Sequence, residues 1–173
     1  MRVRMKEKDE AKKKEVIMGS EKQTDDTSGV KSLGSGHTDY PNQGGADPNV
    51  LEKFPNKFPE RKYQVTFLTD EFTSLCPKTG QPDFATISVE YTPDEWCIES
   101  KGLKLYMFSY RNEGSFMETI TNNILTHLVE LVKPHEMTIH GDFAPRGGIG
   151  MVVIAKYIRG EGVIVETQGS ETV

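Results

Sequence analysis

The sequence lacks the features that mark membrane and secreted proteins. Its 173 residues include two cysteines and one tryptophan, and 35% of them are hydrophobic. No apolar run approaches the roughly 18 residues that a membrane-spanning helix requires. No apolar segment follows the basic N-terminus as it would in a secretory signal. Two cysteines suit a reducing compartment better than a disulfide scaffold. These absences predict a single-domain globular protein of the cytoplasm, without a membrane partner.

Several ligand-binding signatures are missing as well. The formal net charge is -5, which argues against a broad nucleic-acid surface, because phosphate binding needs concentrated lysine and arginine. The four histidines show no ligand spacing and there is no Cys-x-x-Cys pair, so no metal is expected. Without a G-x-G-x-x-G or Walker loop, a nucleotide would have to bind by another route.

Composition divides the chain into three parts. Residues 1–30 are charge-dense and poor in large apolar residues, which predicts a disordered tail, with a nucleic-acid arm as the alternative. Residues 31–165 form the globular domain and 166–173 a C-terminal tail. The domain begins with a segment rich in Gly, Pro, Asn and Asp, whose apolar side chains, among them Leu51, are expected to lie against the core.

Hydrophobic periodicity predicts four strands and two helices. The strands cover residues 63–69, 84–91, 137–143 and 149–157, and the helices cover 100–111 and 115–133. The order ββααββ predicts an α+β fold, in which an antiparallel sheet carries both helices on one face.

The turn between the first two strands carries the candidate chemistry. Cys76 and Asp83 flank Pro77, Gly80 and Pro82, which allow the chain to fold back and bring the acid towards the thiol. A thiol becomes a nucleophile as the thiolate and needs a charge or a proton partner nearby. The alternative is that Cys76 is a small buried hydrophobic residue.

Cations near the first helix and the last hairpin indicate anion binding. Lys101 and Lys104 project from the first helical turn, where free backbone N–H groups favour a phosphate. The alternative is that Ser100 only caps the helix and that both lysines are solvated. Arg146, in a Pro-Arg-Gly-Gly run, either clamps an anion or is a solvated residue of a tight hairpin.

Glu118 stands three residues after Ser115, at the start of the second helix. This spacing fits a capping box, in which the carboxylate satisfies the Ser115 N–H group. The structural role is sufficient by itself to account for the glutamate.

Two stretches together resemble a known family. Residues 72–84 and 99–106, in this order, are similar to the short, single-domain 7-cyano-7-deazaguanine reductases, the NADPH-dependent nitrile reductases of queuosine biosynthesis. The resemblance runs from about Leu33 to Gly160. It implies the tunnelling fold, in which several subunits join their sheets into a barrel and form sites between subunits.

The resemblance also implies residue roles. Cys76 would attack the nitrile carbon to give a thioimide, and Asp83 would donate a proton. Two NADPH molecules would then deliver two hydrides to give 7-aminomethyl-7-deazaguanine. The implied substrate-binding residues are Ile98, Glu99, Ser100, Met117 and Glu118, and the implied NADPH-binding residues are Lys101, Lys104, Arg146 and Gly147.

Three features depart from the family pattern. Gly102 stands where Ser or Ala is usual, which is expected to loosen the start of the helix by up to about 1 kcal/mol. Met117 stands where a histidine is usual, which removes a polar contact to the substrate ring. The charged N-terminal extension is the third. Cys97, two residues before Glu99, could also form a reversible disulfide with Cys76.

Two other functions compete with nitrile reduction. One is the transferase activity of relatives in archaeosine synthesis, which keep the Cys and Asp but add ammonia to the nitrile. The stretch at residues 99–104 favours the reductase, because it is tied to NADPH use. The other is a purine- or pterin-binding tunnelling-fold protein without redox activity, against which Cys76 and Asp83 argue, since binding alone requires neither.

Overall fold

A five-stranded antiparallel sheet, two α-helices and a separate two-stranded sheet make up the computed structural model, which describes residues 45–164. The strands are β1 (Lys53–Pro55), β2 (Val65–Leu75), β3 (Pro82–Thr92), β4 (Trp96–Ile98), β5 (Glu136–Arg146), β6 (Ile149–Ile158) and β7 (Gly162–Ile164). The helices are α1 (Ser100–Ser109), which ends in a short 3-10 turn (Tyr110–Asn112), and α2 (Met117–Val132). The two predicted tails, 1–30 and 166–173, lie outside the described residues.

The larger sheet has the order β2-β3-β5-β6-β7, with every neighbouring pair antiparallel. The predicted ββααββ order and the α+β class are therefore confirmed. The sequence did not predict β1, β4 or β7, because three residues are too few to display an alternating pattern. In the described part of the sheet, β2 and β7 are the edge strands, and β1 pairs with β4 in the small sheet.

Both helices pack on one face of the larger sheet, as predicted. Alternate residues of β3 and β5 point to this face and are buried against the apolar sides of the helices. The shared core includes Ile87, Val89, Tyr91, Met137 and Ile139 from the sheet and Leu103, Tyr106, Ile120, Ile124 and Leu128 from the helices. Neither helix has the length and apolar character needed to cross a bilayer, and the described residues contain no other helix that does.

One extra residue interrupts the regular pairing of β2 with β3. The register shifts between Thr69 and Phe72, which is a β-bulge. Before the shift the odd-numbered residues of β2 face the helices, and after it Phe72 and Ser74 are the buried residues. The prediction ended this strand at Thr69 because the alternation breaks there, whereas the strand continues to Leu75.

The cap of α1 differs from the prediction. Glu99, rather than Ser100, is the N-cap residue, and its carboxylate accepts hydrogen bonds from the backbone N–H groups of Lys101 (2.9 Å) and Gly102 (2.6 Å). A carboxylate in this position also interacts favourably with the positive end of the helix. The start of α1 is thus fixed by one acidic side chain.

The predicted capping box of α2 is wrong. Phe116 is the N-cap residue and no side chain caps this helix. The Ser115 N–H group instead donates to the carbonyl of Leu75 at 3.1 Å, so the chain stays extended beside the end of β2 and the helix begins later than predicted. Glu118 therefore has no capping role.

The lead-in segment lies against the start of α1. Leu51 is buried as expected, and a Cβ atom at Gly102 would lie 2.9 Å from both the Glu52 nitrogen and the Val50 oxygen. Gly102 thus allows a close backbone approach that a larger residue would obstruct. Phe54 of this segment is exposed, because β1 lies away from the main core in the small sheet.

Candidate active site

The turn between β2 and β3 brings Cys76 and Asp83 to the same end of the sheet. Cys76 directly follows β2, and Asp83 is the second residue of β3. The Cys76 N–H group donates to the Gln81 carbonyl (2.8 Å), and the Gly80 N–H group donates to the Cys76 carbonyl (3.0 Å). Gly80 has φ +68°, a left-handed conformation that favours glycine. The Pro/Gly frame folds back as the sequence predicted.

Arg146, the last residue of β5, reaches into this turn. Its guanidinium forms an ion pair with the carboxylate of Asp83, a side chain that is only 5% exposed. It also donates to the Gln81 carbonyl at 3.4 Å and hydrogen-bonds the Cys76 side chain. One cation therefore contacts both of the residues predicted to be catalytic.

The contacts of Cys76 favour its thiolate form. The Thr79 side chain contributes most and Arg146 second, and with the backbone N–H groups of Thr79 and Lys78 they lower the pKa of Cys76 to about 6. The same contact with Cys76 raises the pKa of Arg146. Cys76 is partly exposed rather than buried, so it is not the small core residue of the alternative interpretation. A thiolate at neutral pH is the reactive form of cysteine.

Ser74 belongs to the same group, although no sequence pattern indicated a role for it. Its Cα is the register partner of Asp83 across the β2–β3 pair, and its side chain is completely buried. In the described structure its hydroxyl oxygen has no hydrogen-bond partner. The prediction missed Ser74 because it ended the strand before this position, so no face of the sheet could be assigned to it.

The first set of predicted substrate residues lies at the start of α1. Ile98 is buried and its N–H group donates to the Tyr91 hydroxyl at 3.0 Å. Ser100 is exposed and its hydroxyl lies 3.4 Å from the Glu99 carboxylate. The hydrogen bonds from the Lys101 and Gly102 N–H groups lower the pKa of Glu99. Within the subunit this carboxylate is engaged with the helix that it caps.

The second set lies at the start of α2, beside the Cys76 turn. The Leu75 N–H group donates to the Glu113 carbonyl (2.8 Å), and a backbone bridge joins Leu75 to Gly114. These bonds hold the chain just before α2 against the residue that precedes Cys76. Glu118 in the first helical turn is exposed, whereas Met117 packs partly against the core.

The predicted cofactor residues are divided between two places. A groove of about 700 Å³ lies between α1 and the edge strand β2; its walls include Ser100, Lys104, Arg111, Phe67 and Leu68. Lys101 is exposed on the same helical turn as Ser100 but does not line the groove. Gly147, with φ +57°, follows Arg146 in the turn between β5 and β6. Arg146 and Gly147 do not line the groove, and Arg146 contacts Cys76 and Asp83 instead.

The second cysteine does not pair with the first. Both cysteines are free, and Cys97 is buried in β4 with its sulfur 3.6 Å from the Tyr63 hydroxyl. The disulfide considered between Cys97 and Cys76 is therefore not formed in this structure. Residues 45–164 hold no group of three or more His, Cys, Asp or Glu side chains that could bind a metal ion.

Comparisons with known proteins indicate one family. Residues 82–161 match the family model described as QueF-like protein. The NADPH-dependent 7-cyano-7-deazaguanine reductase of Desulfovibrio desulfuricans is 54% identical over 132 residues, which cover 76% of this chain and 78% of the relative. The Bacillus subtilis protein of the same name is 52% identical over 129 residues, which cover 75% and 77%.

A solved structure supports the fold. The crystal structure of an archaeosine synthase described as QueF-Like, in its apo form, superposes with a TM-score of 0.51 and 24% sequence identity. The match covers 54% of this chain and 91% of that one. On the strength of the sequence matches, the chain belongs to the family of NADPH-dependent 7-cyano-7-deazaguanine reductases.

Proposed function

We propose that this protein uses NADPH to reduce the nitrile of 7-cyano-7-deazaguanine to 7-aminomethyl-7-deazaguanine, a step of queuosine biosynthesis. The substrate and the reductant follow from the names of the relatives. The observation that supports the chemistry is the group formed by Cys76, Arg146 and Asp83. It combines a thiol with a low pKa, a cation and a buried acid at one end of the sheet.

The first step is the addition of the thiolate to the nitrile. The Cys76 sulfur forms a bond to the nitrile carbon, one carbon–nitrogen π bond breaks, and Asp83 in its acid form protonates the nitrogen. The product is a thioimide. A soft, polarisable thiolate suits attack on a polarised nitrile carbon, and an acid beside it prevents negative charge from accumulating on the nitrogen.

NADPH supplies hydride when it is bound, and two equivalents are needed. Over the whole reaction the carbon gains two hydrides, the nitrogen gains two protons, and cleavage of the sulfur–carbon bond returns the Cys76 thiolate. Asp83 shares the Arg146 guanidinium with the nucleophile and is proposed to deliver the protons. The Arg146 guanidinium stabilises the thiolate each time that it is free.

The groove beside α1 fits part of such a cofactor. Lys104 and Arg111 supply positive charge, and Phe67 and Leu68 supply an apolar wall. We propose that the ammonium groups of Lys101 and Lys104 hold the phosphates, because the backbone N–H groups of Lys101 and Gly102 are already bonded to Glu99. Arg146 contacts Cys76, so Arg146 and Gly147 would hold the nicotinamide end of the cofactor, which would supply hydride to the carbon bound to Cys76.

Substrate recognition is proposed for the starts of the two helices. Glu118 is exposed, does not cap α2, and stands on a helix whose start is tied to the end of β2. A carboxylate can accept hydrogen bonds from the amino and N–H groups of a deazaguanine ring. Met117 beside it, and Ile98, Glu99 and Ser100 at the start of α1, are proposed to complete the ring site.

We propose that the residues at the start of α1 in one subunit meet those at the start of α2 and the Cys76 turn in another subunit of a homo-oligomer. Within one subunit the Glu99 carboxylate is bonded to the backbone at the start of α1. The edge strand β2 leaves backbone groups available for pairing and exposes 72% of Leu68, which favours association of sheets edge to edge. A cytoplasmic location is proposed as well, and the two free thiols support it.

The test is a mass spectrum of the purified protein with 7-cyano-7-deazaguanine, taken before and after NADPH is added. Nitrile reduction requires an adduct on Cys76 that disappears as two NADPH molecules are oxidised for each amine formed. The Cys76→Ala variant should form no adduct. An adduct that ignores NADPH and reacts with ammonia would indicate the transferase. Binding without an adduct would indicate a non-redox purine- or pterin-binding protein.

A further inference from the structure

One buried hydroxyl group in the described structure lacks a hydrogen bond, and it lies beside the proposed acid. The Ser74 side chain is completely buried and its oxygen has no partner. Other buried hydroxyl groups are bonded: Ser109 donates to the Tyr106 carbonyl at 2.6 Å, and Thr121 to the Met117 carbonyl at 2.9 Å. An unpaired buried polar group lowers stability, so its presence calls for an explanation.

The position of Ser74 indicates that its hydroxyl group can bind Asp83. Ser74 and Asp83 are register partners in an antiparallel pair, and the side chains of such partners leave the sheet on the same face with Cβ atoms about 4.5–5.5 Å apart. Cys76 follows two residues later. In the described arrangement the Asp83 carboxylate is directed to Arg146, and the hydroxyl opposite is left unpaired.

The proposed chemistry requires Asp83 to have a second arrangement. A guanidinium can only donate hydrogen bonds, so the Asp83 oxygen that contacts Arg146 acts as an acceptor and is not available to donate a proton. To protonate the nitrile nitrogen, Asp83 must leave Arg146 and carry a proton. Rotation of the Asp83 side chain between staggered positions is sufficient to exchange one neighbour for another.

We infer that Ser74 is a positioning residue, whose hydroxyl binds the Asp83 carboxyl group when it leaves Arg146 and acts as the acid. This inference rests on the proposed function. Asp83 takes its proton from solvent and gives it to the nitrile nitrogen as the Cys76 sulfur bonds to the carbon. Ser74 neither gains nor loses a proton, and Arg146 remains beside the sulfur.

The test compares Ser74→Ala with the wild-type protein by three measurements. The rate of adduct formation between Cys76 and 7-cyano-7-deazaguanine, followed by mass spectrometry, should fall about tenfold, a modest part of a general acid's contribution. Alkylation of Cys76 by iodoacetamide should be unchanged, because Thr79 and Arg146 remain. The melting temperature should stay the same or rise, because an unpaired buried group has been removed.

Ser109→Ala is the matched control, since it removes a buried hydroxyl that is bonded and lies in α1. It should lower the melting temperature and leave the adduct rate unchanged. Ser74→Ala should also have no effect in an Asp83→Asn background, because residues that act through one group are not additive. Full additivity in that double variant would overturn the inference.

Adduct formation in the two proteins distinguishes a wrong role for Ser74 from a wrong proposed function. If the wild-type protein forms no adduct, the proposed function is wrong and the role of Ser74 falls with it. If the wild-type protein reacts and Ser74→Ala reacts at the same rate, only the role of Ser74 is wrong. Slower alkylation and a lower melting temperature in Ser74→Ala would show a purely structural residue and would also overturn the inference.

Discussion

The guanidinium of Arg146 lies against the carboxylate of Asp83 and joins the end of β5 to the start of β3. These strands are neighbours in the sheet, and their last paired residues at this end are Ala85 and Phe143. The ion pair continues the contact beyond the backbone ladder. As a result, a cation from the second half of the chain is held beside Cys76, in a turn of the first half.

The first prediction concerns the pH dependence of the thiol. The pKa of Cys76 is lowered to about 6, so the thiolate is the main form above this pH and is lost as the pH falls through it. The rate of alkylation by iodoacetamide should therefore be half-maximal near pH 6. Peptide mass spectrometry separates this reaction from any at the buried Cys97. A midpoint near the ordinary cysteine value, about 8.5, would contradict the assigned contacts.

The second prediction concerns Arg146→Gln. Loss of the guanidinium should move the alkylation midpoint of Cys76 upwards, though less than the whole way to the ordinary pKa because the Thr79 contacts remain. Arg146→Lys should lie between the two proteins, since it keeps the charge but not the planar fork of donors. The measurement is the rate of alkylation against pH.

Arg159→Gln is the control for this series. Arg159 forms an ion pair with Asp94 at 2.8 Å, and both side chains are partly exposed. Its removal should change stability by less than about 1 kcal/mol and leave the Cys76 midpoint where it is. An equal shift in Arg159→Gln and Arg146→Gln would mean that net charge, not contact, controls the thiol.

The third prediction concerns the cap of α1. Glu99→Ala should lower the free energy of unfolding by about 1 kcal/mol, because two backbone N–H groups lose their acceptor. The pKa of Glu99 is lowered in the folded protein, so its stabilisation is present above the unfolded-state pKa and is lost as the pH falls through the folded-state value. Urea titrations of both proteins at neutral and acid pH would show the difference shrinking in acid.

Substrate binding separates the two roles of Glu99. A variant that is destabilised but binds 7-cyano-7-deazaguanine as well as the wild-type protein would leave the cap as its only function. Weaker binding at a temperature well below the melting transition would support the proposed contact with the ring.

The fourth prediction concerns Gly102→Ala. Helix propensity alone favours alanine by up to about 1 kcal/mol, which would stabilise the protein. The added Cβ would instead meet the backbone of Val50 and Glu52 at 2.9 Å, so the melting temperature should fall. A rise in melting temperature would show that the lead-in segment can move aside without loss, and Gly102 would then have no packing role.

Local patterns in the sequence predicted those parts of the site that are close along the chain. Cys76 and Asp83 were found because a Pro/Gly frame in one turn connects them. For Arg146 the residue pattern indicates an anion clamp or a solvated arginine, and the resemblance implies NADPH binding. Neither indicates the contact with Cys76, because that contact depends on the pairing of β3 with β5. No local pattern contains that information.

The errors at the helix starts have a similar cause. The spacing of Ser115 and Glu118 satisfies the capping-box pattern, but the hydrogen bond from the Ser115 N–H group to Leu75 keeps this segment extended. Ser74 was missed because the bulge shifts the core-facing residues of β2 from odd to even positions. The alternation of apolar and polar residues therefore stops at the bulge. In both places a contact between distant segments decided the local structure.

The bulge in β2 takes up the one residue by which this strand exceeds its partner. From Thr69 to Phe72 the chain advances three residues, while β3 advances two, from Ile87 to Ala85. Deleting Asp70 or Glu71 would leave a regular ladder in which Ser74 still faces Asp83. Deleting Thr73, with Phe72 still opposite Ala85, would turn Ser74 to the opposite face of the sheet. The strand can therefore change its length at the bulge more readily than beside the site.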